Sequence, residues 1–219
     1  MIHIKICGLT NWLDARWAWR CGADLLGFIF VPGSPRYMRI EDVAPITKAL
    51  LKEGCQARFV GVFADRPATS VREIAEACHL HLVQLHGQVT PQDVAALQLP
   101  AIVAVRVSGE VAWGELRRYD AWGYLLDTHD PDRLGGTGRP WDWEQLGQKG
   151  DRPARLIVAG GLTPDNVITA IRRTHPWGVD VSSGVEAMPG RKDPAKVAAF
   201  IRRVRAFSTQ RDGGEVEEA

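Results

Sequence analysis

With 219 residues and a formal net charge of +1, the chain has the size of one domain and no general attraction for nucleic acid or an anionic membrane. Hydrophobic residues at 45% and charged residues at 24% describe an ordinary soluble protein, whose core is expected to bury roughly 70% of the unfolded surface. No apolar run reaches the ~18 residues of a membrane span, and Met1-Ile2-His3-Ile4-Lys5-Ile6 enters a strand pattern without the basic and apolar regions of a signal peptide.

Short apolar runs alternate with longer amphipathic ones. The expected strands are Ile2–Ile6, Leu25–Phe30, Arg58–Phe63, Leu82–Leu85, Ile102–Val107, Tyr124–Leu126, Arg155–Ala159 and Val179–Val181. The expected helices are Trp12–Arg20, Glu41–Lys52, Ser70–Cys78, Pro91–Leu97, Gly109–Arg118, Trp141–Leu146, Pro164–Arg173 and Pro194–Ala206. Thr90-Pro91 and Thr163-Pro164 each pair an N-cap residue with proline at the first helical position. Most strands are continuous hydrophobic runs, as expected when helices cover one face and a barrel interior the other. Eight such units in strict alternation point to an α/β fold, a single-domain (β/α)8 TIM barrel over residues 1–207. Residues 208–219 are polar and read as a frayed or disordered tail. Arg202, Arg203 and Arg205 read as a solvated helix face, and Trp12 and Trp19 as packing residues of the first helix. Cys7, Cys21, Cys55 and Cys78 show no CxxC pairing and no metal-type spacing with histidine, which suits reduced thiols in a cytoplasm.

Active sites of such barrels lie at the C-terminal strand ends, and the unusual residues collect there. Gly160-Gly161 follows the seventh strand and Ser182-Ser183-Gly184 the eighth, where backbone N–H groups commonly hold a phosphate. Gly135–Gly138 matches neither a dinucleotide nor a Walker loop and suits a mobile cover. Cys7-Gly8 ends the first strand, although a cysteine there is more often a small buried hydrophobe. Asp127 closes the apolar run Tyr124-Leu125-Leu126, where partial desolvation suits a general acid; a loop aspartate is the plain alternative. His86 also ends a strand, with a hydrogen-bonded structural histidine as the competing reading. His79 and His81 read as structural or surface residues and His129 as a loop residue.

Taken together, these residues resemble one family. Lys5-Ile6-Cys7-Gly8-Leu9-Thr10 is similar to the opening motif of phosphoribosylanthranilate isomerases. Ser34-Pro35-Arg36-Tyr37, Gln84-Leu85-His86-Gly87, Leu126-Asp127-Thr128, Gly160-Gly161-Leu162-Thr163-Pro164 and Val179-Asp180-Val181-Ser182-Ser183-Gly184-Val185-Glu186 follow in the family's order, as does Pro189-Gly190-Arg191-Lys192-Asp193. The resemblance implies a cofactor-free Amadori rearrangement of a small phosphoribosyl substrate, with Asp127 as acid and Cys7 as base. It also implies Arg36 for the anthranilate carboxylate, and Asp180 and His86 for the sugar or ring. Arg139 stands where the family often has lysine. A monomer and a homodimer are both compatible.

The histidine-pathway isomerase resembles a two-carboxylate design, and Cys7 stands where its first aspartate belongs. Indole-3-glycerol phosphate synthase needs a catalytic lysine in a different motif. A non-catalytic phosphosugar-binding protein would have no use for both Cys7 and Asp127. Neither a metal-ligand cluster nor a redox motif is visible at the strand ends, so turnover is expected to survive exhaustive chelation. Loss of activity in EDTA, restored by zinc or magnesium, contradicts this.

Overall fold

The computed structural model describes residues 1–106, 111, 113–127 and 152–213, at 106 and 210–213 through the backbone alone. Eight parallel strands close a barrel in chain order: β1 (His3–Ile6), β2 (Leu25–Ile29), β3 (Arg58–Ala64), β4 (Leu82–His86), β5 (Ala101–Arg106), β6 (Gly123–Asp127), β7 (Leu156–Val158) and β8 (Gly178–Val181). Closure runs through β1 and β8, where Lys5 pairs with Asp180 and Ile6 with Val181. The helices are α1 (Trp12–Arg20), α2 (Ile40–Lys52), α3 (Ala68–Ala77), α4 (Pro91–Leu97), α5 (Trp113–Leu116), α6 (Val167–Thr174) and α7 (Pro194–Gly213). The expected helix Trp141–Leu146 and the Gly135–Gly138 loop lie outside the described residues, as do His129 and Arg139.

The side-chain period of two explains why the strands read as unbroken apolar runs. Leu25, Val60, Leu82, Ile102, Leu125 and Ile157 fill the barrel interior as one cluster. Their neighbours Leu26, Phe59, Val83, Val103, Tyr124, Leu126 and Leu156 belong to the outer cluster beneath the helices. Continuing the inner set toward the C-terminal mouth brings in Gln84 and His86 on β4 and Asp127 on β6. Toward the mouth, Lys5 on β1 and Asp180 on β8 are polar inward residues, and Cys7 follows directly after β1.

Helix ends follow local chemistry. Thr90 and Asp93 form a complete capping box at α4, with Asp93 accepting from the Thr90 N–H at 2.8 Å. Thr163 differs from expectation. A turn over residues 164–166 intervenes and α6 begins at Val167, while the Thr163 hydroxyl accepts from the Asp165 N–H at 3.2 Å. The pairing of a capping residue with proline marks chain reversal in both cases, but only at Thr90 does the helix begin at the proline. Trp12 and Trp19 are partly buried against the core, each with an arginine of α1 over its ring.

Helix α7 continues through Gly213, past the expected end of the barrel domain at residue 207; residues 214–219 lie outside the described set. Ser208 is buried, and its hydroxyl accepts from the Ile2 N–H at 3.2 Å while donating to Val204 O at 3.1 Å. Arg205 is not a solvated residue either. It donates to Ile2 O at 2.8 Å, Gly22 O at 2.7 Å and Asp24 Oδ2 at 2.7 Å, clamping α7 onto the starts of β1 and β2. Both contacts join distant parts of the chain, which is why a local reading of polarity misses them. Ser208→Ala should leave a buried N–H without its acceptor, at a cost of about 1–3 kcal/mol. At about 2–4 °C per kcal/mol for a domain of this size, the melting temperature should fall by several degrees. A melting curve unchanged by the substitution contradicts this anchoring role.

Candidate functional site

The polar residues of the barrel interior meet at the C-terminal ends of β1 and β8. Lys5 and Cys7 both face inward from β1, and both are almost fully buried. Lys5 Nζ donates to Asp180 Oδ1 at 3.0 Å across the strand pair that closes the barrel. Its ammonium also acts by charge on the neighbouring Cys7 thiol. Burial works against the ammonium, but Asp180 and Cys7 outweigh it and hold Lys5 above the ordinary lysine value. For Cys7 the balance goes the other way. Burial pushes the thiol up and Asp180 adds to this, while Lys5 and Lys192 pull it down without cancelling the rise.

Two glycines make this arrangement possible. A methyl group on Gly27 of β2 would stand 2.9 Å from Cys7 Sγ and 3.1 Å from Cys7 Cα, so only glycine leaves room for the thiol. Gly8, with φ +70°, lies under the Arg36 side chain; a Cβ there would meet Arg36 Cδ at 2.5 Å and Ser182 Oγ at 2.9 Å. The strand-end glycine thus lets the loop after β2 lay Arg36 across the mouth.

Arg36 is held there by a carboxylate that the motif alone does not assign to it. Its Nε donates to Glu186 Oε1 at 2.7 Å and its Nη2 to Glu186 Oε2 at 2.6 Å, a bidentate pair. Lys192 Nζ lies 3.0 Å from Glu186 Oε1 and donates to Ser182 O at 3.1 Å. Burial works to raise the Glu186 pKa, but Arg36 and Lys192 overcome it and hold the carboxyl below its usual range. Burial lowers Lys192, with Glu186 opposing. Glu186 and Lys192 sit on a small hairpin after β8, β9 (Glu186–Met188) with β10 (Arg191–Lys192), which the alternation of strand and helix does not predict. The hairpin is fastened to the mouth by the Thr10 hydroxyl, which donates to Gly190 O, and by Asp14, which accepts from the Lys192 N–H at 2.8 Å.

Across the mouth, the loops after β7 and β8 abut. Gly160 (φ +84°) and Gly161 (φ +61°) take left-handed conformations, and Asn166 Nδ2 donates to Gly161 O at 2.9 Å. A Cβ on Gly184 would fall 1.8 Å from Leu162 O, so the second loop can lie against the first only with glycine there. Ser182 Oγ is buried and has no hydrogen-bond partner among the described residues. A hydroxyl in that condition beside glycine-rich loops fits an anion with several acceptor oxygens.

Asp127 is the half-buried last residue of β6, in register with Arg106 of β5. It lies two positions beyond the inward Leu125. His86 ends β4, with the carboxamide of Gln84 against its Nε2. His81, by contrast, is structural: its Nδ1 accepts from the Phe59 N–H at 3.0 Å, and His79 is exposed at a left-handed turn. Among the residues assigned from sequence, the structure joins Cys7 with Asp180 through Lys5. It also joins Arg36 with Ser182 through Gly8, and Gly160-Gly161 with Gly184 through Leu162. Glu186 and Lys192 stand out in the sequence only as members of motifs, and Gln84 only as a mark of the end of the fourth strand. For Glu186 and Lys192 the available signal was an acid and a base in the short stretch after β8. A second cavity, about 680 Å³, opens at the opposite barrel end among His3, Arg58, Trp122, Arg155 and Trp177, away from this chemistry.

Comparison with known proteins agrees with this geometry. The family described as N-(5'-phosphoribosyl)anthranilate (PRA) isomerase matches residues 4–203. The N-(5'-phosphoribosyl)anthranilate isomerase of Pelobacter propionicus is 43% identical over 202 residues, covering 92% of this chain and 95% of that protein. The Geobacter metallireducens protein of the same name is 41% identical, covering 94% and 100%. Among solved structures, phosphoribosyl anthranilate isomerase from Thermotoga maritima superposes with a TM-score of 0.85 at 37% identity, covering 94% of this chain and 100% of that one. A phosphoribosyl anthranilate isomerase in complex with reduced 1-(o-carboxyphenylamino)-1-deoxyribulose 5-phosphate gives 0.81 at 35% identity, with the same coverage. The chain, a closed barrel with its buried thiol and glycine loops at one mouth, belongs to the N-(5'-phosphoribosyl)anthranilate isomerase family.

Proposed function

We propose that the mouth described above carries out the Amadori rearrangement of N-(5-phospho-β-D-ribosyl)anthranilate to 1-(2-carboxyphenylamino)-1-deoxy-D-ribulose 5-phosphate, a step of tryptophan biosynthesis. The observation that carries this reading is the meeting of a buried thiol, a bidentate arginine and an unpartnered buried hydroxyl at one barrel end. Asp127 gives its proton to the ribose ring oxygen as the C1′–O bond breaks, and the anilino nitrogen supplies the electron pair that forms the C=N bond. The Cys7 thiolate then takes the C2′ proton; the C2′–H electrons form C1′=C2′ and neutralise the nitrogen. Proton return to C1′ and loss of the enol proton give the ketone. Arg36 receives the anthranilate carboxylate, Asp180 and His86 face the sugar or ring, and Gly160, Gly161, Ser182, Ser183 and Gly184 hold the phosphate.

The partner is therefore a small phosphorylated molecule. No helix among the described residues is long and apolar enough to cross a membrane. A cytoplasmic setting suits the four free cysteines. For assembly, a monomer or a homodimer is the reading; one solved Thermotoga maritima relative is described as monomers generated from a dimeric enzyme.

Two sets of variants test these roles. Cys7→Ala and Asp127→Asn should each lower kcat by roughly 10²- to 10⁴-fold with substrate binding retained, since each removes a proton-transfer group. Stopped turnover, followed by loss of anthranilate-substrate fluorescence, gives the rates; either variant keeping more than about a tenth of normal kcat loses its assigned role. Arg36→Met should mainly raise KM, because its charge acts on bound substrate and transition state alike. Lys192 stays to neutralise Glu186, so this variant should fold. An unchanged KM removes Arg36 from the carboxylate site.

A further inference from the structure

Lys5 is a charged residue of the mouth to which the catalytic reading gives no task, and its position is costly. Its side chain is fully enclosed (0% exposed) between β1 and β8, where an uncompensated ammonium is strongly disfavoured. A packed apolar residue would serve the barrel at least as well, because buried ion pairs are often no better than hydrophobic replacements. Its two neighbours are a carboxylate and the thiol proposed as the base.

We propose that Lys5 is a positioning residue for the isomerisation: its ammonium is the counter-charge of the Cys7 thiolate, and Asp180 holds that ammonium in place when Cys7 is a neutral thiol. The inference rests on Cys7 as the base. Geometry supports the arrangement. Lys5 and Cys7 are two residues apart on one strand and point to the same side. Asp180 is Lys5's register partner on β8 and accepts its hydrogen bond at 3.0 Å. From β2, Cys7 is faced by the uncharged Gly27. Among the described residues, the other cations acting on it are Lys192 of β10 and Arg36 of the loop after β2, and both of these also serve Glu186. Within that set, Lys5 is the cation near Cys7 whose other partner is not Glu186.

The arrangement solves a problem of charge in a dry site. During proton abstraction Cys7 passes from thiolate to thiol, and its negative charge leaves with the electrons of the C2′–H bond. With one fixed ammonium and two acceptors, the cation remains compensated at both ends of that step. The direction of each influence follows: Lys5 favours the thiolate, and Asp180 disfavours it.

Those opposite signs provide the test. The alkylation rate of Cys7 by iodoacetamide is measured against pH on the full chain, with Cys7→Ala as the blank for the other cysteines. An adjacent opposite charge shifts an acid by about 1–3 pH units. Lys5→Met should therefore lower Cys7 alkylation at least tenfold at a fixed pH below the thiol midpoint. The ascending limb of its kcat/KM profile should move to higher pH by the same interval, with KM little changed. Asp180→Asn should move the thiol midpoint in the opposite direction, to lower pH. Should Lys5→Met fail to fold, the Asp180→Asn midpoint decides, and one that is unmoved or raised overturns the proposal. So does a Lys5→Met thiol that titrates as in the unaltered protein while Cys7→Ala still abolishes turnover. A Cys7→Ala enzyme with near-normal kcat instead removes the base itself, and the inference with it.

Discussion

A charge placed inside a barrel must be answered inside the barrel. The Lys5–Asp180 pair spans the two strands whose meeting closes the sheet, with the ammonium of one register partner reaching the carboxylate of the other at 3.0 Å. Removing either member leaves the other uncompensated, which in buried pairs costs about 3–5 kcal/mol. The pair therefore adds little net stability over an apolar core, yet it penalises any register other than the one observed. A slip of one residue would turn Lys5 toward the helices, into the apolar layer that holds Ile4 and Ile6. Closure of the barrel and placement of Cys7 at its mouth are thus tied to the same contact.

Around that contact, the mouth is shaped by missing side chains as much as by present ones. Gly27 clears the space for the thiol, Gly8 passes the Arg36 stem over the end of β1, and Gly184 lets the β8 loop lie against the Leu162 carbonyl. Each glycine is required by a different neighbour, so a substitution at one would disturb a different group. Gly8 acts by close approach and by a backbone φ of +70°, Gly27 and Gly184 by close approach alone. In the proposed mechanism, rigid strands set the reacting groups, and glycine-permitted loops bring the binding groups to them.

The eight strands and most helices were legible in the sequence because apolar runs and amphipathic runs differ in length and period. The strand-end residues Cys7, His86, Asp127 and Asp180 were legible for the same reason: once a strand is placed, its last inward residue is placed too. Contacts between distant segments were not. Ser208 looks like the start of a polar tail, and only the fold shows that it accepts from the Ile2 N–H. Arg205 looks solvated among its basic neighbours until Asp24 and two carbonyls are brought beneath it. Lys5 was visible as a charge within an apolar strand, a pattern that a buried ion pair explains and periodicity alone does not. The Glu186–Lys192 hairpin breaks the alternation of strand and helix, so no periodic signal announces it.

The hairpin also decides what kind of ligand the mouth favours. Glu186 takes the Nε and Nη2 donors of Arg36, and among the described hydrogen bonds Nη1 makes none. The guanidinium is therefore oriented before any ligand arrives, which reduces the ordering that binding must impose. An isolated Arg36–Glu186 pair would be neutral and indifferent to an anion. Lys192 changes this, because two cations share one carboxylate and leave a net positive charge at the mouth. Lys5 and Asp180 cancel each other, so the surplus survives as long as Cys7 is a neutral thiol. It is joined by the unpartnered Ser182 hydroxyl and the glycine loops on the adjoining side. On the proposed reading, a molecule with an anion at each end would meet a preset cation at one end and preset donors at the other, with the bond between them beside the buried thiol.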